Sequence, residues 1–244
     1  MAGPQTARRP WFRRTPVLLG IAAALLLAGG GSWVLYGSSW LRVEKVSVSG
    51  TAVLTPDQVR AAAAVSLGAP LASVDTDEIG TRLRGQLPRV GSVDVVRAWP
   101  HGIGLKVTER TPVLLLEKGA DFVEVDASGV RFATVRKAPR GVPVLELAAA
   151  GSPSLRRFDE ERLLLEAVGV AGDLPRAVAA DTRVVRVRSY DSVVLELAGG
   201  RTVVWGSSER GALKGRALTA LMKAAPGAGH FDVSAPSAPA VSRS

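Results

Sequence analysis

An α+β protein carried on a single N-terminal transmembrane helix is the fold class the sequence predicts, and three observations predict it. Residues 15–41 contain no charged side chain. Residues 41–111 then read strand–helix–helix–strand–strand. Residues 112–235 alternate short apolar strands with two amphipathic helices, the pattern of a mixed sheet with helical cover.

The membrane span is the strongest of these signals. Residues 16–36 (PVLLGIAAALLLAGGGSWVLY) would make about 31 Å of helix at 1.5 Å per residue, close to the roughly 30 Å hydrocarbon core of a bilayer. Trp33, Tyr36 and Trp40 gather at one end and Trp11 lies near the other, where amphipathic rings favour the headgroup level. Arg8, Arg9, Arg13 and Arg14 precede the span, and the first carboxylate is Glu44. That asymmetry predicts a cytoplasmic tail over residues 1–15 and an extracytoplasmic C-terminus. A cleavable signal peptide competes, with residues 17–27 as its apolar region and Ala28-Gly29-Gly30 as a small-residue cut. The apolar run resumes at Trp33-Val34-Leu35-Tyr36 beyond that cut, as an anchor requires. The expectation is a single-pass type II membrane protein.

Composition narrows the chemistry. The 244 residues carry 31 Lys and Arg against 22 Asp and Glu, a formal net charge of +9. Four of the basic residues precede the span, and the rest are interspersed with acids, as on a solvated face and unlike a nucleic-acid groove. With no cysteine, disulfides, thiolate metal sites and a cysteine nucleophile are excluded. His101 and His230 are the only imidazoles. Gly206 and Gly211 have the spacing of a phosphate loop, but Ala212 stands where the lysine is needed. No Gly-x-Ser-x-Gly elbow occurs, and Thr134-Val135-Arg136-Lys137 imitates a nucleophile–lysine pair only superficially. The acidic groups Asp75/Asp77/Glu78 and Asp159/Glu160/Glu161 sit at predicted helix starts, where carboxylates favour the dipole, so helix capping outweighs paired-acid catalysis. His101, in a turn, is expected to be solvated. No enzyme activity, cofactor or metal site is expected.

After the span, Val43, Val46 and Val48 mark a first strand ending at Gly50. Thr55-Pro56-Asp57-Gln58 matches a helix start, with Thr55 as N-cap, Pro56 at N1 and Gln58 completing a capping box. A second helix carries Ile79, Leu83 and Leu87 on one stripe and ends at Pro88. Residues 93–95 and 103–107 alternate on either side of Trp99-Pro100-His101-Gly102, which reads as a hairpin.

These residues resemble a family. The order is that of a POTRA domain. The strand ending Val48-Ser49-Gly50, the helix exit Leu87-Pro88-Arg89-Val90, the turn Arg97-Ala98-Trp99-Pro100 and the exit from Val107 to Val113 (VTERTPV) are together similar to the bacterial cell-division family FtsQ/DivIB. The resemblance spans roughly residues 41–235, strongest over 41–130. It implies a POTRA domain over 41–111 and a β domain over 112–235, beyond which residues 236–244 are expected to form a flexible tail. It also implies a non-enzymatic divisome scaffold at the septum, bridging early and late division proteins. Val48, Gly50 and Trp99 are candidate contacts of the POTRA module, although a Trp packed over its own hairpin is the commoner role for Trp99.

In the second module, residues 113–116, 122–126, 130–132, 143–147, 183–188, 193–197 and 202–205 read as strands. Residues 158–170 and 208–224 read as helices, the latter opened by Ser207 or Ser208. The last strand, His230-Phe231-Asp232-Val233-Ser234, enters from a helix, the usual position of a sheet edge that can accept a partner strand. On a strand's period of two, Phe231 and Val233 face one side and Asp232 and Ser234 the other. Pro236 and Pro239 lack N–H donors and would limit pairing beyond Ala235. The alternative is an inner strand followed by a disordered end. The family resemblance favours an edge, because members use this strand to bind FtsB of the FtsB–FtsL pair. It assigns His230, Phe231, Asp232, Val233, Ser234 and Ala235 as partner-binding, with Ser234-Ala235 standing where many members carry Arg-Tyr. Two further functions were open to such a chain: a translocation or assembly module, which would need a POTRA array or barrel, and an anchored cell-wall enzyme, which would need a nucleophile–base pair.

Overall fold

The computed structural model describes residues 15–147 and 159–242. Trp11, the four N-terminal arginines and the start of the helix expected from Phe158 lie outside the described residues. The chain forms two compact units, one through Glu109 and one from Arg110.

The first unit begins with α1 (Thr15–Ser32), which continues through a π-helical turn, Trp33–Gly37. Together they contain an apolar helix over Val17–Gly37 with mean hydropathy 2.0 and no buried residue. A 3₁₀ turn at Ser39–Leu41 follows, with Ser38 Oγ accepting from the Trp40 N–H at 3.1 Å.

Beyond it, β1 (Lys45–Ser49), α2 (Pro56–Ala63), α3 (Thr76–Gln86), β2 (Val90–Ala98) and β3 (Gly102–Glu109) follow in the expected order. The sheet is ordered β1-β3-β2, with β1 parallel and β2 antiparallel to β3. The α2 start has the full capping box: Thr55 Oγ1 accepts from the Gln58 N–H, and Gln58 Oε1 accepts from the Thr55 N–H. Asp75 caps α3 by accepting from Asp77 and Glu78 N–H groups at 3.0 Å, which accounts for that acidic cluster as helix capping. Val59, Leu71, Ile79, Leu83, Ile103 and Leu105 are fully or nearly fully buried between helices and sheet.

Two contacts fasten the turn after β1. Gly50 adopts φ +82°, and a Cβ there would lie 2.1 Å from the Val107 carbonyl oxygen. Glu109 at the end of β3 then gathers the N–H groups of Ala52 (2.7 Å), Val53 (3.1 Å) and Leu54 (2.9 Å) on its carboxylate. Burial alone would push the Glu109 carboxyl up. The three N–H donors and nearby Arg89 outweigh it and hold the group below its ordinary value of 4.5.

The second unit is a nine-stranded mixed sheet. Its strands are β4 (Pro112–Lys118), β5 (Asp121–Asp126), β6 (Arg131–Val135), β7 (Val144–Leu147), β8 (Thr182–Ser189), β9 (Ser192–Leu197), β10 (Thr202–Gly206), β11 (His230–Asp232) and β12 (Ala240–Ser242). Their spatial order is β12-β11-β10-β9-β8-β7-β4-β5-β6. Parallel pairings join β7 to β4 and β8, and β11 to β10. The β5–β6 turn is held by Asp126, which accepts from Ser128 and Val130 N–H groups and pairs with Arg110. Helices α4 (Glu160–Asp173) and α6 (Gly211–Ala224) pack against each other and the sheet, burying Leu163, Leu164, Trp205 and Leu218.

Several expectations are corrected. A short helix, α5 (Arg176–Asp181), precedes β8; its six residues are too few to carry a clear period. Helix α6 starts at Gly211, three residues later than expected. Arg210 holds a left-handed φ of 57° immediately before the helix, and the Ser208 N–H donates to Glu166 at 3.2 Å. His101 is half-buried instead of solvated, and its carbonyl accepts from the Glu44 N–H at 2.8 Å, tying the β2–β3 turn to the start of β1. The tail expected to be flexible over 236–244 contains β12, which turns back after Ala235 and pairs with β11.

Substituting Gly50→Ala should cost at least about 2 kcal/mol, combining a left-handed φ with overpacking against backbone; urea unfolding of the chain reads it, and an unchanged midpoint would contradict the close approach. For Glu109 the folded pKa is depressed, so its stabilisation is present above pH 4.5 and is lost as pH falls through the folded value. Glu109→Ala should therefore lose about 1 kcal/mol at neutral pH and show a shallower loss of stability on acidification than the parent.

Candidate functional site

The site predicted from sequence lies at the C-terminal end of the second unit's sheet, and burial divides its residues into two sets. Phe231 and Val233 point into the core at 1% and 0% exposure. Their alternation follows the expected period, but it means that these two side chains hold the fold and are not offered to a partner. His230 and Asp232 are half-buried, and Ser234 and Ala235 are exposed. His230 Nδ1 lies 2.8 Å from Thr202 Oγ1 on the neighbouring strand. Asp232 Oδ1 accepts from the Ser234 N–H at 2.9 Å and its hydroxyl at 2.7 Å, a local turn that stops the strand at Asp232, two residues before its predicted end.

The backbone of β11 is paired on both sides. On its inner side it runs parallel to β10, with His230 opposite Thr202 and Phe231 opposite Val203. The Thr202 N–H donates to the Gly229 carbonyl and the Val233 N–H to the Val204 carbonyl, each at 2.9 Å, extending that contact beyond the strand ends. On its outer side it pairs antiparallel with β12, His230 opposite Ser242 and Asp232 opposite Ala240. The expectation of an open edge at 230–235 is thus corrected: the edge strand is Ala240–Ser242. The two prolines explain how. Rather than ending the chain's order, Pro236 and Pro239 flank a reversal in which the Ala238 N–H donates to the Ala235 carbonyl at 3.0 Å. The strand they deliver is slight: three residues, each exposed.

Two features hold this end of the sheet in place. At Gly206, φ is +78° and a Cβ would lie 3.1 Å from that of Ser234, so the end of β10 can pass close to the exit of β11. Helix α6 packs over β11 and contains Lys214, only 2% exposed, whose Nζ donates to the Ser207 carbonyl at 2.8 Å. Burial, reinforced by Arg210, lowers the Lys214 pKa against the opposing pull of Glu209 and Glu166. Neither α6's late start nor the buried lysine was legible in sequence, because a lysine on a helix reads as a solvent-facing residue until a neighbour covers it.

In the first unit the candidate contacts separate. Val48 is half-buried against the core, and Gly50 is committed to the turn over Val107. Trp99 leaves 52% of its surface open, at a cis bond to Pro100. Arg97 beside it donates to the carbonyls of Leu71 (3.1 Å) and Val74 (2.6 Å), fixing the base of the hairpin. Of the three, Trp99 alone has a large open apolar side chain. Among the described residues no three His, Asp or Glu side chains converge as a metal site would need.

Comparison with known proteins matches residues 41–110 to the POTRA domain of FtsQ type. Over longer spans the chain is similar to proteins named cell division protein FtsQ. It is 68% identical to that of Streptomyces venezuelae over 97% of this chain and 86% of the relative. It is 64% identical to that of Streptomyces collinus over 100% and 94%, and 64% identical to that of Streptomyces coelicolor, again over 100% and 94%.

Proposed function

The chain belongs to the FtsQ family of cell-division proteins, and from that premise we propose that it is a non-enzymatic divisome scaffold that captures FtsB of the FtsB–FtsL pair by strand addition at the C-terminal end of its sheet. It lies across the cell membrane with residues 1–15 in the cytoplasm and both folded units outside, where it bridges early and late division proteins at the septum. The arginines before the apolar helix support that orientation. Tethering in the membrane plane raises the effective concentration of partners anchored in the same bilayer, so a modest pairing surface suffices.

The observation that carries the reading is the slightness of β12. Its three exposed residues cover a β11 that is rigidly held from within by Phe231, Val233 and β10. An incoming strand takes the place of β12 beside His230–Asp232 and continues past Ser234 and Ala235. Main-chain bonds supply the affinity, and the half-buried His230 and Asp232 and the exposed Ser234 and Ala235 supply selectivity. Phe231 and Val233 act by holding the platform. Trp99 is a second contact, for other membrane division proteins.

Deleting residues 236–244 removes the competitor. With three cross-strand pairs at stake, capture of the FtsB–FtsL extracytoplasmic segments should tighten by about 1–2 kcal/mol, roughly five- to thirty-fold in Kd. Crosslinkers placed singly across 228–236 should trap FtsB with a period of two. Weaker capture after the deletion, or adducts with a helical period, would overturn strand replacement. Phe231→Lys is a folding variant here and is expected to lower the unfolding midpoint whatever the partner does.

A further inference from the structure

We propose that the connection between α2 and α3 docks on the outer surface of the lipid bilayer, with Leu67 inserted at the boundary between headgroups and acyl chains. The inference rests on the membrane reading of Val17–Gly37 and is independent of the C-terminal site.

The connection has an unusual composition and an unusual tether. Residues 61–74 (AAAAVSLGAPLASV) form the longest stretch without a charged side chain beyond the apolar helix. Within it Leu67 is 67% exposed, beside Gly68. The stretch is bonded to the residues that leave the span. Arg42 Nη1 donates to the Gly68 carbonyl at 2.7 Å, the Gly68 N–H donates to the Val43 carbonyl at 2.8 Å, and the Val43 N–H donates to the Ala69 carbonyl at 2.9 Å. Arg42 also bridges to Pro70. At the far side of the connection, Cα atoms of Leu71–Ser73 lie within 8 Å of the helical turn Trp33–Gly37 that closes the span.

Chain geometry then sets the depth. Arg42 follows Gly37 by five residues, three of them in a 3₁₀ turn, so it is carried on the order of 10 Å along the chain. The polar headgroup layer on each side of a bilayer is about 5–8 Å thick. That path alone reaches the outer margin of the headgroups, and the approach of Leu71–Ser73 to Trp33–Gly37 draws the connection bonded to Arg42 back to the headgroup level. Trp40, 67% exposed in the same turn, has the amphipathic ring suited to that depth. An apolar side chain held at this level leaves water by entering the lipid. Val53 provides the contrast: it is 65% exposed, yet it follows β1 at the end remote from Arg42.

The natural chain has no cysteine, so single cysteines can be labelled without altering it elsewhere. Full-length Leu67→Cys, Trp40→Cys, Leu27→Cys and Val53→Cys variants carrying an environment-sensitive fluorophore would be reconstituted in phosphatidylethanolamine–phosphatidylglycerol vesicles, with brominated acyl chains as quenchers. The Leu67 label should be blue-shifted and lose emission to shallow bromines as the Trp40 label does, while the Val53 label stays aqueous and unquenched. Quenching at Leu27 with none at Leu67 overturns the docking and leaves the span intact. Loss of quenching at Leu27 as well overturns the membrane reading, and the docking with it. A Leu67 label that is aqueous in lipid and shifts only when another division protein's extracytoplasmic segment is added assigns the loop to a protein contact instead, and overturns the lipid assignment.

Discussion

Burial of Phe231 and Val233 is the constraint from which the C-terminal half of the molecule follows. With those side chains in the core, the period of a strand turns His230, Asp232 and Ser234 the other way; β11 runs parallel to β10. A parallel neighbour needs a long crossover, and α6 supplies it, packing over the strand it delivers. Phe231 thereby fixes the last rigid ladder of the sheet at β11. What lies beyond it, β12, pairs with β11 over three residues, its Val241 40% exposed. The contacts with the core end at β11, and β12 adds only a ladder of three pairs.

The first unit uses its polar groups differently. Its two carboxylates at element ends, Asp75 and Glu109, are spent on backbone N–H groups. Arg42 and Arg97 are spent on the backbone carbonyls of Gly68, Leu71 and Val74. Each arginine thus ties the α2–α3 connection to a different strand or strand approach, which holds the stretch in one conformation with Leu71 in the core and Leu67 outside it. The charges stabilise loops, and Leu67 is the large apolar side chain of the stretch that stays exposed.

Local signals were legible where a few adjacent residues carry the physics. The capping box at Thr55, the cap at Asp75 and the alternation of Phe231 with Val233 all appear in the structure as the residue types demand. The hairpin strands were underestimated in length, since ladder hydrogen bonds extend pairing past the residues with clear alternation. Pro236 and Pro239 misled for a definable reason. A missing N–H argues against a central strand, but it is compatible with a reversal that brings back a short edge strand.

The apolar helix, the strand–helix–helix–strand–strand order, the capped helix starts and the alternation of Phe231 with Val233 could be read from spacing within single segments. Packing between distant segments put Phe231 and Val233 in the core, covered β11 with β12, buried Lys214, left Trp99 half-open and bonded the α2–α3 connection to Arg42 and Val43. Those outcomes depend on which distant segments meet, and a strand's edge becomes open or closed only when its neighbour arrives.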